Sequence, residues 1–93
     1  MLKNYQKSFK NHWSKKEFDR QIALVKELIL NEVKDAIIEP PVVENKQYCN
    51  LSENVKCFGK SYISKILIGD KFIGHLEYFK SNNNDFFDFN IRP

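Results

Sequence analysis

SKKEFDRQIALVKELILNEVKDAII, Ser14 to Ile38, is the stretch against which the rest of the chain must pack. Ser14 and Glu17 form an S-x-x-E capping box, whose two side chains satisfy backbone N–H groups left unpaired in a first helical turn. Apolar residues follow at Phe18, Ile22, Val25, Leu28, Ile29, Val33, Ala36 and Ile37. Steps of three and four set them on one stripe of a 3.6-residue period. Arg20, Lys26, Glu27, Asn31, Lys34 and Asp35 take the opposite side. Glu39-Pro40-Pro41 ends the run, because proline disfavours helical geometry in its predecessor and has no N–H to donate. The spacing predicts a helix of roughly 23 residues, about 34 Å long.

Working outward, Tyr62–Ile68 and Lys71–Phe79 are rich in β-branched and aromatic residues and flank Gly69-Asp70. A Gly-Asp pair between two such runs signals a tight hairpin. With those two residues as the whole loop, Leu67 faces Phe72, Lys65 faces Gly74 and Ile63 faces Leu76. The face Ile63, Leu67, Phe72, Leu76, Tyr78 is then expected to meet the helix. Tyr62, Ser64, Ile66, Ile73, His75 and Glu77 form the other face, and a slip of one residue would exchange the two. After the polar loop at 81–85, Phe87, Phe89 and Ile91 alternate with Phe86, Asp88 and Asn90, as in a strand with one buried face.

Residues 39–61 read as an irregular crossing. Val42-Val43 fits a short strand, and Asn45, Asn50, Ser52, Glu53 and Asn54 are turn formers. Val55–Phe58 fits a first meander strand that Gly59 breaks. The N-terminal segment has two readings. Leu2, Tyr5, Phe9 and Trp13 recur at helical steps, yet a strand over 2–6 followed by a helix from about Ser8 is equally allowed. Phe9 and Trp13 either anchor this segment to the core or, between lysines, offer rings to stacked bases. The order of elements predicts a single α+β domain over residues 1–93, with one or two N-terminal helices packed on one face of a small three- to four-stranded antiparallel sheet.

Composition narrows the function classes. At 42% hydrophobic residues the chain is not disordered, and with Phe occurring 8 times its core is built from large side chains. No apolar run approaches the ~20 residues that cross a bilayer, and no secretory start is visible, so a cytoplasmic protein is expected. Cys49 and Cys57 are expected to stay reduced there. Their spacing fits no common zinc pattern, and no metal or cofactor is implied. Lys3, Lys7, Lys10, Lys15 and Lys16 occur in the first sixteen residues without one acid. Removing these five positive charges from the total of +3 leaves the rest of the chain at −2. A basic end on a near-neutral body suits an anionic partner, either nucleic acid or an acidic protein. The bland alternative is a solvated lysine-rich terminus.

The order of elements, Tyr5-Gln6-Lys7-Ser8-Phe9-Lys10 at the start, and the compact Ser61-Tyr62-Ile63-Ser64-Lys65-Ile66-Leu67-Ile68-Gly69-Asp70-Lys71-Phe72 resemble the RelE/ParE superfamily of toxin–antitoxin toxins, including YafQ-like and YoeB-like ribonucleases. The resemblance implies a short strand, helices, a proline-containing crossing and a meander. It also implies metal-independent cleavage of messenger RNA on the ribosome, blocked by an antitoxin partner. Carried over by position, Lys65 matches a basic residue on the central strand, Lys71 one just after the turn, and Arg92 one at the end of the last strand. His75 has no counterpart in the family, but its unperturbed pKa makes it the natural general acid or base. Lys3, Lys7, Lys10, Lys15 and Lys16 would dock on RNA. Two departures oppose this reading. Only Arg20 and Arg92 supply guanidinium groups, and the sequence ends at Pro93 where the family's ribonucleases continue with a catalytic aromatic or histidine. The alternative is a non-enzymatic binding protein: an immunity protein, a phage-encoded inhibitor or an antitoxin-type partner.

Overall fold

Ser14 caps the helix, its Oγ accepting the Glu17 N–H at 3.2 Å, while the Glu17 carboxylate, expected to complete the capping box, accepts from Arg20 and Gln21. The computed structural model of the chain describes residues 2–10, 14–50, 52 and 54–93. Trp13 and Glu53, read above as an anchor and a turn residue, lie outside the described residues. The elements run β1 (Tyr5–Phe9), α1 (Lys15–Glu32), β2 (Ala36–Ile38), β3 (Val42–Asn50), β4 (Val55–Ile68), β5 (Lys71–Ser81) and β6 (Phe87–Arg92).

This corrects the expected fold. In place of one or two helices on a three- to four-stranded sheet, the described residues form a single helix on six antiparallel strands. Two local causes account for the difference. First, α1 has 18 residues and stops at Glu32. Val33 leaves helical geometry at φ −136°, while its N–H still reaches the Ile29 carbonyl at 2.9 Å. A turn follows, and Ala36, Ile37 and Ile38 pair with Ile68, Leu67 and Ile66 of β4. Their apolar spacing continues the helical stripe, but β-branched side chains also suit a strand, and the open edge of β4 supplies the backbone partners. Second, β3 is a nine-residue strand along β4, with partners from Val42↔Ile63 to Asn50↔Val55. Its residues are exposed on both faces up to Gln47, so no hydrophobic alternation announces it.

Gly59 does not break β4. It opposes Ser81 within the ladder, and a Cβ there would stand 2.7 Å from the Phe79 ring. Pro40-Pro41 falls where the edge partner of β4 changes from β2 to β3. Three residues on that edge, between Ile38 and Val42, span two on β4, between Ile66 and Ile63. The prolines thus occupy an irregular step that needs no donor from them.

The strand order is β1-β6-β5-β4-β2, with β3 also along β4. The helix therefore carries the chain from one edge of the sheet to the other. Its buried residues Phe18, Val25 and Ile29 meet Ile66, Leu76, Tyr78, Phe87, Phe89 and Ile91. Phe18 is the centre of the aromatic packing, 4.9 Å from the Phe87 ring and 5.9 Å from that of Tyr78. Leu28, placed on the predicted buried stripe, is 43% exposed, because an 18-residue helix on a twisted sheet covers a narrower strip.

The hairpin closes at Gly69-Asp70, with Leu67 facing Phe72 as the loop chemistry predicts. The register then shifts by one. Ile66 faces Gly74, Lys65 faces His75 and Ile63 faces Glu77. Ile73 and Gly74 together oppose Ile66, a β-bulge. The faces assigned to β4 are therefore exchanged: Tyr62 and Ile66 pack toward the helix, while Ile63, Lys65 and Leu67 turn away. On β5, Leu76 and Tyr78 meet the helix as expected, whereas Phe72 stands beyond the bulge, 49% exposed. Gly74 is needed at this crossing, since a Cβ would lie 2.8 Å from the Leu2 side chain.

Candidate functional site

The bulge brings chemistry-bearing residues together on the sheet face turned away from α1. Lys65 pairs with His75, and His75 pairs with Arg92. These three residues therefore form one row across β4, β5 and β6. At a strand spacing of about 4.8 Å the row is roughly 10 Å long. Three of the four residues that the resemblance or titration chemistry singled out are thus adjacent. Lys71 is not. It follows the turn and lines a depression with Leu2, Val33 and Ile73 beneath the C-terminal end of α1.

Glu77, one step along β5 from His75 on the same face, organises the charges. It is buried to 8% exposure and accepts from Ser61 Oγ at 2.7 Å, Lys46 Nζ at 3.0 Å and Arg92 Nη2 at 2.8 Å. Burial pushes its pKa up. The hydrogen bonds from Ser61 and Lys46 and the charges of Lys46 and Arg92 outweigh this, so the carboxyl lies below its ordinary range. Asp88 is also buried and accepts from Ser8 Oγ at 2.6 Å. Its pKa is raised, chiefly by burial and also by the nearby charge of Glu77, against the hydrogen bonds from Ser8 and Gln6.

Around Lys65 and His75 the face is apolar. Ile37 is 53% exposed and Val42 69%, while Ile63 and Leu67 are half-buried on β4 either side of Lys65. Phe72 meets the His75 ring edge-on, with centroids 4.8 Å apart. At the far end of the same face the Tyr48 ring packs at a tilt against Phe79 and Phe86. Among the clefts that the described residues form, the one between the start of α1 and strands β4 and β5 has a volume of about 330 Å³. Neither it nor the depression beside Lys71 is lined by Lys65, His75 or Arg92. The row lies on an open surface.

The basic N-terminal residues do not converge on that surface. Lys3 approaches Glu32, the last residue of α1, at 3.9 Å, and Lys15, the first, pairs with Asp19 at 3.4 Å. The two ends of an 18-residue helix lie about 27 Å apart. Lys7 sits over the Phe9 ring on the helix side of β1, and Lys10 and Lys16 are exposed. Five lysines within the first sixteen residues are thus spread along the molecule.

Sequence reasoning missed Lys46, Ser61 and Asp88, which converge on or beside Glu77 across three other strands. Only strand pairing reveals that convergence. It missed Phe72 because the bulge reverses that side chain. Among the described residues no group of three His, Cys, Asp or Glu side chains could hold a metal ion. Cys49 and Cys57 are free thiols. No helix of the described residues is long and apolar enough to cross a membrane. Compared with family models, curated proteins and solved structures, the chain matches none.

Proposed function

We propose that this protein is a non-enzymatic binding domain that docks an acidic protein partner on the sheet face opposite α1. The observation that carries this reading is the apolar patch around Lys65 and His75, made of exposed Ile37, Val42 and Phe72 with half-buried Ile63 and Leu67. Exposed apolar surface rimmed by polar groups is what protein interfaces use. The basic row at its centre favours carboxylates on the partner. Glu77 and Asp88 on the same face, the pairing of Arg92 with Glu77, and the dispersal of the N-terminal lysines all weigh against a polyanion. The test uses tagged protein incubated with lysate of the producing cells. A partner held by the native chain, lost with Phe72→Glu and Lys65→Glu and kept with Leu24→Glu on the outer side of α1, supports the reading. Equal retention by all four, or recovery of RNA in place of protein, overturns it.

A second reading is favoured by one observation, the single row of Lys65, His75 and Arg92. In it, the protein is a metal-independent ribonuclease of the RelE/ParE type, with His75 moving a proton and the two cations holding phosphate. Expression that arrests bacterial growth and leaves cleaved transcripts, with relief by His75→Ala or Lys65→Ala, would favour it. Harmless expression removes it.

A further inference from the structure

Among the described residues, strand β3 pairs with β4 along one side, and no described strand pairs with its other backbone edge from Val42 to Gln47. Such an edge is a template for another strand. We propose that the strand it takes is β3 of a second copy, in an antiparallel register centred on Asn45, so that two sheets join into one.

The argument is the arrangement of side chains along the edge. A two-fold axis normal to the sheet keeps both helices on one side and lets only residues of the same face oppose each other. Such an axis must pass between a residue of β3 and the same residue of the second copy. Centred on Glu44 it sets two carboxylates opposite each other, and centred on Lys46 it sets two ammonium groups opposite each other. Both arrangements are destabilising. Centred on Gln47 it pairs Glu44 with Asn50 and Lys46 with Tyr48, without complementary charge. Centred on Asn45 it pairs Glu44 with Lys46 twice, Val42 with Tyr48 twice and Val43 with Gln47 twice. That register alone makes ion pairs, and it also covers Val42 and Val43, exposed at 69% and 49%. Lys46 can serve both carboxylates, since an ammonium has three donors and Glu77 takes one at 3.0 Å. The joined sheet takes Val42 from the rim of the patch described above but leaves Phe72 and the row of Lys65, His75 and Arg92 uncovered on each copy, so it does not depend on the function proposed above.

Light scattering behind size-exclusion chromatography, over a range of concentrations, tests it. The native chain is expected to dimerise. Glu44→Lys and Lys46→Glu should each weaken self-association at least tenfold, and an equimolar mixture of the two should restore a dimer through paired opposite charges. In a Cys49→Ser, Cys57→Ser background, Asn45→Cys should cross-link under mild oxidation because it sits on the axis. Gln47→Cys should not. A native chain that is monomeric at every concentration, a Glu44→Lys variant that dimerises as well as the native chain, or cross-linking at Gln47→Cys in place of Asn45→Cys overturns the proposal.

Discussion

Glu77 and Asp88 are two buried carboxylates on one sheet face whose environments move their titrations in opposite directions. For Glu77 the folded pKa lies below its ordinary value of 4.5, so its contribution to stability is present above that value and is lost as pH falls through the folded one. For Asp88 the folded pKa is raised. The charged form is then a cost at neutral pH, and the cost is relieved as pH falls through the raised value. Glu77→Gln is expected to lose about 1–3 kcal/mol at neutral pH, since Lys46 and Arg92 are left without their counter-charge. The loss should shrink in acid. Asp88→Asn, which keeps an oxygen for Ser8, should leave Tm unchanged or raise it at neutral pH. Urea unfolding of both variants at neutral and acid pH checks the two signs. Gly59 answers to packing. A Cβ there would run into the Phe79 ring and the Lys80 carbonyl, so Gly59→Ala should cost about 1–3 kcal/mol by overpacking.

At the level of elements, α1 shows where sequence periodicity works and where it stops. Its start was legible because the cap is a local interaction between residues three apart. Ser14→Ala should cost about 1 kcal/mol, read as a lowered midpoint in thermal unfolding. Glu17, held to a pKa of about 2 by hydrogen bonds from Arg20 and Gln21 and by the Arg20 charge, keeps its side chain partly in solvent. Its pairing therefore adds little to stability in salt. The end of α1 was not legible, since Val33, Ala36 and Ile37 fit both a helical stripe and the start of a strand. Competition from the β4 edge decides between them. The same edge makes β3, whose residues carry no periodic signal. In the β4–β5 hairpin, the Gly69-Asp70 loop and the Leu67–Phe72 pair follow from turn chemistry. The bulge at Ile73 does not; it lets the Leu67–Phe72 pair beside the turn coexist with Leu76 and Tyr78 in the core beneath α1.

On the scale of the whole molecule, the candidate site is a product of strand pairing. Lys65, His75 and Arg92 were named from sequence as separate residues, and the sheet sets them in one row. Lys3, Lys7, Lys10, Lys15 and Lys16 were read as one basic segment, and the fold separates them along the helix. If the patch around Phe72 is the docking surface, Phe72→Glu should weaken partner binding about tenfold or more while leaving far-UV circular dichroism and Tm near native values. Leu24→Glu, on the outer face of α1, should leave binding unchanged.

By itself the sequence determined the helix start, its buried stripe from Phe18 to Ile29, the hairpin at Gly69-Asp70 and the last strand. Each of these rests on contacts between near neighbours or on alternation against one core. The tertiary structure alone decided the end of α1, the existence of β2 and β3, the register beyond Ile66 and hence which side chains share the open face. Those features depend on backbone groups meeting across long separations, where the open edge of β4 and the room beneath the helix outweigh local preference.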